Sequence, residues 1–191
     1  MLVGEAGLSS LGGIAASAVI LLFVAPPWQV EKRWLLDGLV PGGIAGLSLA
    51  RMGCLWEGCD FGGLTEGPLA VVHGAGTRAW EVQVTHYELS PASAVSDPVH
   101  PFAAYLALWG LMAAVAGEWW RRRENRPGRA AMVGAIIFFA GGGAIEWLRE
   151  PETVIQLADG VSAYPSLYWA GAIGAGLVWS KLDSSLVEES V

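Results

Sequence analysis

An apolar, glycine-dotted run over 35–55 ends on a charged and glycine-rich stretch, Arg51-Met52-Gly53-Cys54-Leu55-Trp56-Glu57-Gly58-Cys59-Asp60-Phe61-Gly62. A hydrocarbon core takes about 20 apolar residues of helix, which this run supplies. An arginine at its end is costly unless it meets water, a partner or an anion. Lipid phosphate is the abundant anion of a bilayer, guanidinium holds phosphate through paired hydrogen bonds, and glycines permit close approach. The alternative is an arginine that only snorkels to the headgroup layer.

The rest of the chain has the same character. It is 53% hydrophobic and 15% charged over 191 residues, with a mean hydropathy of +0.46, which predicts a polytopic membrane protein. A formal charge of −7 leaves no basic surface for nucleic acid. Ten tryptophans, several beside charges at the ends of apolar runs (Trp28, Trp34, Trp119, Trp147), suit an interfacial belt. Two cysteines give no disulfide framework. Glu5 stands where a secretory signal would be basic, so the first apolar run is expected to be retained.

The predicted fold is an all-α membrane bundle of about five spans, near 10–26, 35–55, 102–120, 130–148 and 165–180, in a single domain over 1–182. Small residues at helix-packing spacing (Gly42, Gly46, Ala50; Gly134, Gly141; Gly171, Ala175) predict close helix contacts. Lys32, Arg33, the arginines of 121–129 and Lys181 fall on one side of five spans, with Arg51, Arg78 and Arg149 on the other. The positive-inside rule then puts the amino terminus outside and the carboxyl terminus in the cytoplasm. The loop over 57–101 is external, and alternation in 69–73 and 80–87 around Gly74-Ala75-Gly76 predicts a small hairpin. The tail over 183–191 is short and acidic and is expected to be disordered.

Four clusters are polar where hydrocarbon is expected: 51–62, with Glu57 and Asp60; Asp37 to Pro41; His100-Pro101 with Tyr105; and Glu146-Trp147-Leu148-Arg149. The first, third and fourth share one leaflet in this topology. Glu146 and Arg149, three apart, equally well form a simple helix-end pair. His100 is either a functional imidazole or a cap before Pro101, and Tyr105 either a site or a belt residue. Cys54 and Cys59 are too far apart for a disulfide within a regular helix and are expected as free thiols. His73 and His86 have no companion ligands, so no metal site is expected.

Together, in order and spacing, these clusters resemble the prolipoprotein diacylglyceryl transferase family over nearly the whole chain. Asp37, Pro41 and Arg51-Met52-Gly53-Cys54 look like the family's acid, proline and Arg-x-Gly signature, with Gly58 and Gly62 as its later glycines. His100-Pro101 with Tyr105 is similar to the family's His-Pro and tyrosine, and Glu146-Trp147-Leu148-Arg149 to its Glu-aromatic-x-Arg. Leu8-Ser9-Ser10-Leu11-Gly12-Gly13 looks like its His-Gly-Gly helix entry. The resemblance implies a multi-pass protein of the bacterial inner membrane, without cofactor or metal. Its partners would be phosphatidylglycerol and a prelipoprotein whose lipobox cysteine receives diacylglyceryl.

Departures from the family pattern are specific. Its catalytic histidine falls at Leu11 and a functional late-helix arginine at Gly142. Its signature asparagine falls at Cys54, the following glutamate at Cys59, with Asp60 as a shifted substitute, and the glutamate after the tyrosine at Leu106. The family's first spans have no counterpart, which implies a truncated gene product or a shortened paralogue. The lipid-binding expectations are therefore Arg51, Gly53, Gly58, Gly62, Tyr105 and Glu146. His100 is the substitute base, and Arg149 a second cation for the leaving phosphate. A non-catalytic phospholipid-binding protein on the same scaffold is the alternative.

Overall fold

The computed structural model describes residues 32–124, 126–151, 156–158 and 161–188. The expected span near 10–26, with Leu11 and Trp28, lies outside them. Among the described residues four long helices carry the fold: α1 (Lys32–Glu57), α3 (Phe102–Arg123), α4 (Arg129–Ile145) and α5 (Ala163–Glu188). A short α2 (Arg78–His86) lies in the long loop, a 3-10 turn (Glu146–Leu148) extends α4, and β1 (Gln156–Ala158) pairs antiparallel with β2 (Val161–Ser162). Among the described residues three stretches, Arg33–Glu57, Phe102–Arg123 and Arg129–Leu148, are long and apolar enough to cross a membrane. Leu108, Met112, Val115 and Trp119 run down one exposed face of α3, which is the surface a helix offers to lipid rather than to water.

Helices α1, α3 and α4 pack mutually, and α5 lies on α4. Ile44, Ala113 and Ala114 form the buried centre, with Val40, Ile137 and Phe138 around it. Small residues decide how closely the helices approach. A Cβ at Gly117 would stand 3.0 Å from the Ala130 carbonyl oxygen and 3.4 Å from the Cα of Gly134, so α3 and α4 touch backbone to backbone there. Gly134, Gly141 and Gly171 meet neighbours as their spacing predicts. Gly42 and Gly46 have nothing within 4 Å among the described residues.

Asp37, buried at 1% exposure, reaches across from α1 to the start of α4. Its carboxylate accepts from the backbone N–H of Gly128 at 2.7 Å and of Ala131 at 2.8 Å. Gly128 takes a left-handed φ of 89° and has no side chain to cap the helix, so Asp37 satisfies the orphan donors from 91 residues away and complements the helix dipole. This acid ties α1 to the start of α4.

Two local expectations fail. Residues 78–86 form α2, not the second strand of a hairpin. Thr77 in extended conformation caps it, accepting from the Trp80 N–H, with Glu81 in the first turn. The buried face then follows helical spacing through Ala79, Val82 and Gln83. The first half of the expected hairpin pairs elsewhere: Val71 bridges Val99 and Gly74 bridges Val95. Phe61, Ala79, Val82 and Val99 make a core for this loop. At the other end, α5 runs to Glu188, so 183–188 is helical instead of disordered. No glycine or proline interrupts 177–188.

Candidate functional site

The site forms where α1 stops. Gly58, at φ +63°, turns the chain out of the helix, and a Cβ there would come within 2.9 Å of the His73 ring. Both the left-handed angle and the close approach require glycine. The next residues run between two other segments as a central strand would. The Gly62 N–H donates to the His100 carbonyl (3.0 Å) and the His100 N–H to that of Gly63 (3.0 Å). On the opposite side the Gly63 N–H donates to Leu148 (3.0 Å) and the Glu150 N–H to Phe61 (3.3 Å). A Cβ at Gly62 would strike the Leu148 carbonyl oxygen and stand 2.7 Å from the His100 Cβ. The expected glycine is therefore a packing requirement that joins the ends of α1, α3 and α4.

This lacing delivers Asp60 to a buried position between two arginines. Its carboxylate pairs with Nη1 of Arg51 through Oδ2 and with Nη1 of Arg149 through Oδ1. Arg149 also holds Glu146 as a fork, Nε to Oε2 at 2.6 Å and Nη2 to Oε1 at 3.0 Å, a strong bidentate arrangement. Its guanidinium carbon lies 4.2 Å from the centroid of the fully buried Phe102 ring. Burial alone would lower the Arg149 pKa. The hydrogen bond to Glu146 and the charges of Asp60 and Glu146 outweigh it, so the pKa is raised.

The two arginines differ in what remains available. Every guanidinium nitrogen of Arg149 is engaged by Glu146 or Asp60, and its side chain is 10% exposed. Arg51 meets Asp60 through Nη1 alone and is 30% exposed. Its Nε and Nη2 carry no hydrogen-bond partner among the described residues. Arg51 thus has donors for an anion, whereas Arg149 orients Asp60.

The other expected residues fall into three places. Glu146 is buried and pairs with Arg149, which is the helix-end pair the spacing predicts. His100 and Tyr105 adjoin each other, Nδ1 to the phenol oxygen at 3.4 Å. His100 reaches the charged cluster through the backbone of Gly62 and Gly63. Gly53 is exposed on α1 with nothing within 4 Å among the described residues. His73 is buried away from the cluster, and burial lowers its pKa. No group of three or more possible metal ligands occurs among the described residues.

Sequence reasoning understated Asp60 and missed Tyr168. Asp60 was legible as an acid beside the signature's glutamate position. Tyr168, on α5, lays its ring against Gly142, where an added Cβ would strike it, and its phenol is within electrostatic reach of Arg51, Arg149, Glu146 and Asp60. A tyrosine in an apolar helix resembles a belt residue, so nothing local marked it.

Comparison with known proteins gives a consistent result. The family model for prolipoprotein diacylglyceryl transferase matches residues 1–179. A phosphatidylglycerol–prolipoprotein diacylglyceryl transferase of Clostridium tetani is 27% identical over 139 residues, which are 73% of this chain and 49% of that protein. One of the same name from Rhodopirellula baltica is 37% identical over 81 residues, 41% of this chain and 15% of that protein. The chain thus spans about half the length, or less, of these curated relatives. No solved structure matches significantly. With a family model covering nearly the whole sequence and a bundle of membrane-length helices, this chain belongs to the prolipoprotein diacylglyceryl transferase family.

Proposed function

We propose that the chain is a phosphatidylglycerol–prolipoprotein diacylglyceryl transferase-like protein in which Arg51 holds the lipid phosphate, and in which the transfer step is slow. The observation that carries this reading is the half-open Arg51: Asp60 fixes one nitrogen, and among the described residues nothing takes Nε or Nη2, which are available to an anion. In the reaction, the lipobox cysteine sulfur attacks the terminal glyceryl carbon. The carbon–oxygen bond to phosphate breaks, glycerol phosphate leaves, and the thiol proton passes to a base. Arg51 would stabilise the charge growing on the leaving phosphate, and His100, beside Tyr105, is the base. In this reading 57–101 lies outside and the arginines of 121–129 in the cytoplasm of a bacterial inner membrane, an orientation that rests on the asymmetry of basic residues along the sequence.

A second reading, a non-catalytic phospholipid-binding protein, is favoured by Gly142, where the Tyr168 ring occupies the space of any side chain. Leu11 supplies no base at the family's histidine position, and loss of a general base costs about 10²–10⁴ in rate. The purified chain is incubated with phosphatidylglycerol and a lipobox peptide, with thioether product followed by mass spectrometry and retained lipid measured in parallel. Expected are lipid retention that Arg51→Lys abolishes, since a point charge cannot replace the fork, and turnover about 100-fold or more below a full-length relative. Equal retention by wild type and Arg51→Lys overturns the site. Retention without any product selects the binding protein.

A further inference from the structure

Cys54 and Cys59 would lie about 7.5 Å apart along a continuing helix and on nearly opposite faces. The helix does not continue. Gly58 adopts φ +63° and the Cys59 N–H turns back to the Cys54 carbonyl at 3.3 Å, the six-to-one bond of a Schellman turn, which brings the flanking side chains together. The two thiols are free, and the turn sets Cys54 and Cys59 at its two closing positions. Cys59 is exposed, Cys54 half-buried. Arg51 precedes Cys54 by three residues and Asp60 directly follows Cys59, so the pair lies within the loop that the Arg51–Asp60 ion pair closes.

We propose that Cys54 and Cys59 are a reversible dithiol–disulfide site in the turn that the Arg51–Asp60 ion pair closes, oxidised by a disulfide-bearing oxidant such as oxidised glutathione or a thiol–disulfide oxidoreductase. The Cys59 thiolate attacks one sulfur of the oxidant, whose other sulfur leaves as a thiol carrying the Cys59 proton. The Cys54 thiolate then attacks the Cys59 sulfur, releasing the second thiol with the Cys54 proton. The protein gains one sulfur–sulfur bond and loses two hydrogens, and the oxidant's disulfide is reduced to two thiols. This chemistry is separate from lipid binding and does not rest on it. Desolvation in the turn, then the hydrogen bond and charge of Cys54, push the Cys59 thiol up to about 12 even though the residue has an exposed edge. Thiolate is therefore scarce at neutral pH, and closure and alkylation both accelerate as pH rises.

The whole chain, purified in detergent, is equilibrated with excess oxidised glutathione at pH 8.5, quenched with acid, alkylated and weighed intact. The expected product has lost two hydrogens, takes up no alkylating reagent, and recovers both thiols on reduction. Cys54→Ser should instead retain one glutathione on Cys59, because the resolving thiol is gone. Two glutathiones on the wild-type chain, two alkylated thiols after equilibration, or disulfide-linked dimers would each overturn the proposal. Phosphatidylglycerol retention is measured on the same samples, so failure of lipid binding is read independently of failure of closure.

Discussion

Replacing Asp60 with asparagine tests the ion cluster with almost no change of shape. In the native chain Arg51, Asp60, Arg149 and Glu146 balance to zero net charge, and Asp60 is 8% exposed. Asparagine keeps one accepting oxygen but turns an NH2 donor toward the second guanidinium, leaving a donor facing a donor and a charge of +1 in the cluster. Removing one partner of a buried pair costs about 3–5 kcal/mol. Two features reduce that here: Arg149 keeps its fork to Glu146, and Arg51 is 30% exposed and screened by water. A loss of about 2–3 kcal/mol results. For a chain of this length that is about 4–12 °C in apparent melting temperature. Thermal unfolding in detergent, followed by intrinsic tryptophan fluorescence, reads the shift. Asp60→Asn, Arg149→Gln and the double variant complete a cycle, in which the double variant should lose less than the sum of the singles. Strict additivity, or a melting point within about 1 °C of wild type for Asp60→Asn, would refute the coupling.

Gly62→Ala should lower stability by more than about 1–3 kcal/mol, because the added methyl meets the Leu148 backbone and the His100 Cβ; the same melting assay checks it, and a neutral result removes Gly62 as a junction. His73 has its folded-state pKa below the ordinary 6.5, so the unfolded chain binds the extra proton. Stability is then complete above about pH 6.5 and falls as pH drops through that value toward the lower folded pKa. A His73→Gln variant should flatten that slope in melting curves between pH 7.5 and 4.5; an unchanged slope assigns it to another group. For topology, Ser93→Cys should react with an impermeant maleimide on intact cells and Arg126→Cys should not, in a background carrying Cys54→Ser and Cys59→Ser. The reverse pattern inverts the orientation.

Sequence alone determined the class of fold and the neighbourhood of the site. Apolar runs near 20 residues leave little alternative to membrane-length helices, because a backbone in hydrocarbon must bond to itself, and 35–55, 102–120 and 130–148 lie within or closely match the observed elements. Gly58 and Gly62 were expected as lipid-binding glycines of the family signature, whereas the structure uses them for a left-handed turn and a close backbone approach. Local pattern misled at 80–87, where alternating apolar residues suggested a strand and the Thr77 cap with a buried helical face prevailed. Tertiary packing alone decided the rest. Asp37 caps α4 from 91 residues away, Asp60 and Arg149 meet across 89, and the Tyr168 ring lies over Gly142 from the next helix. Periodicity acts over three or four residues and cannot encode such meetings. They depend on how closely glycine and alanine let α3 approach α4, and on the strand-like lacing of 61–63 that turns Asp60 inward.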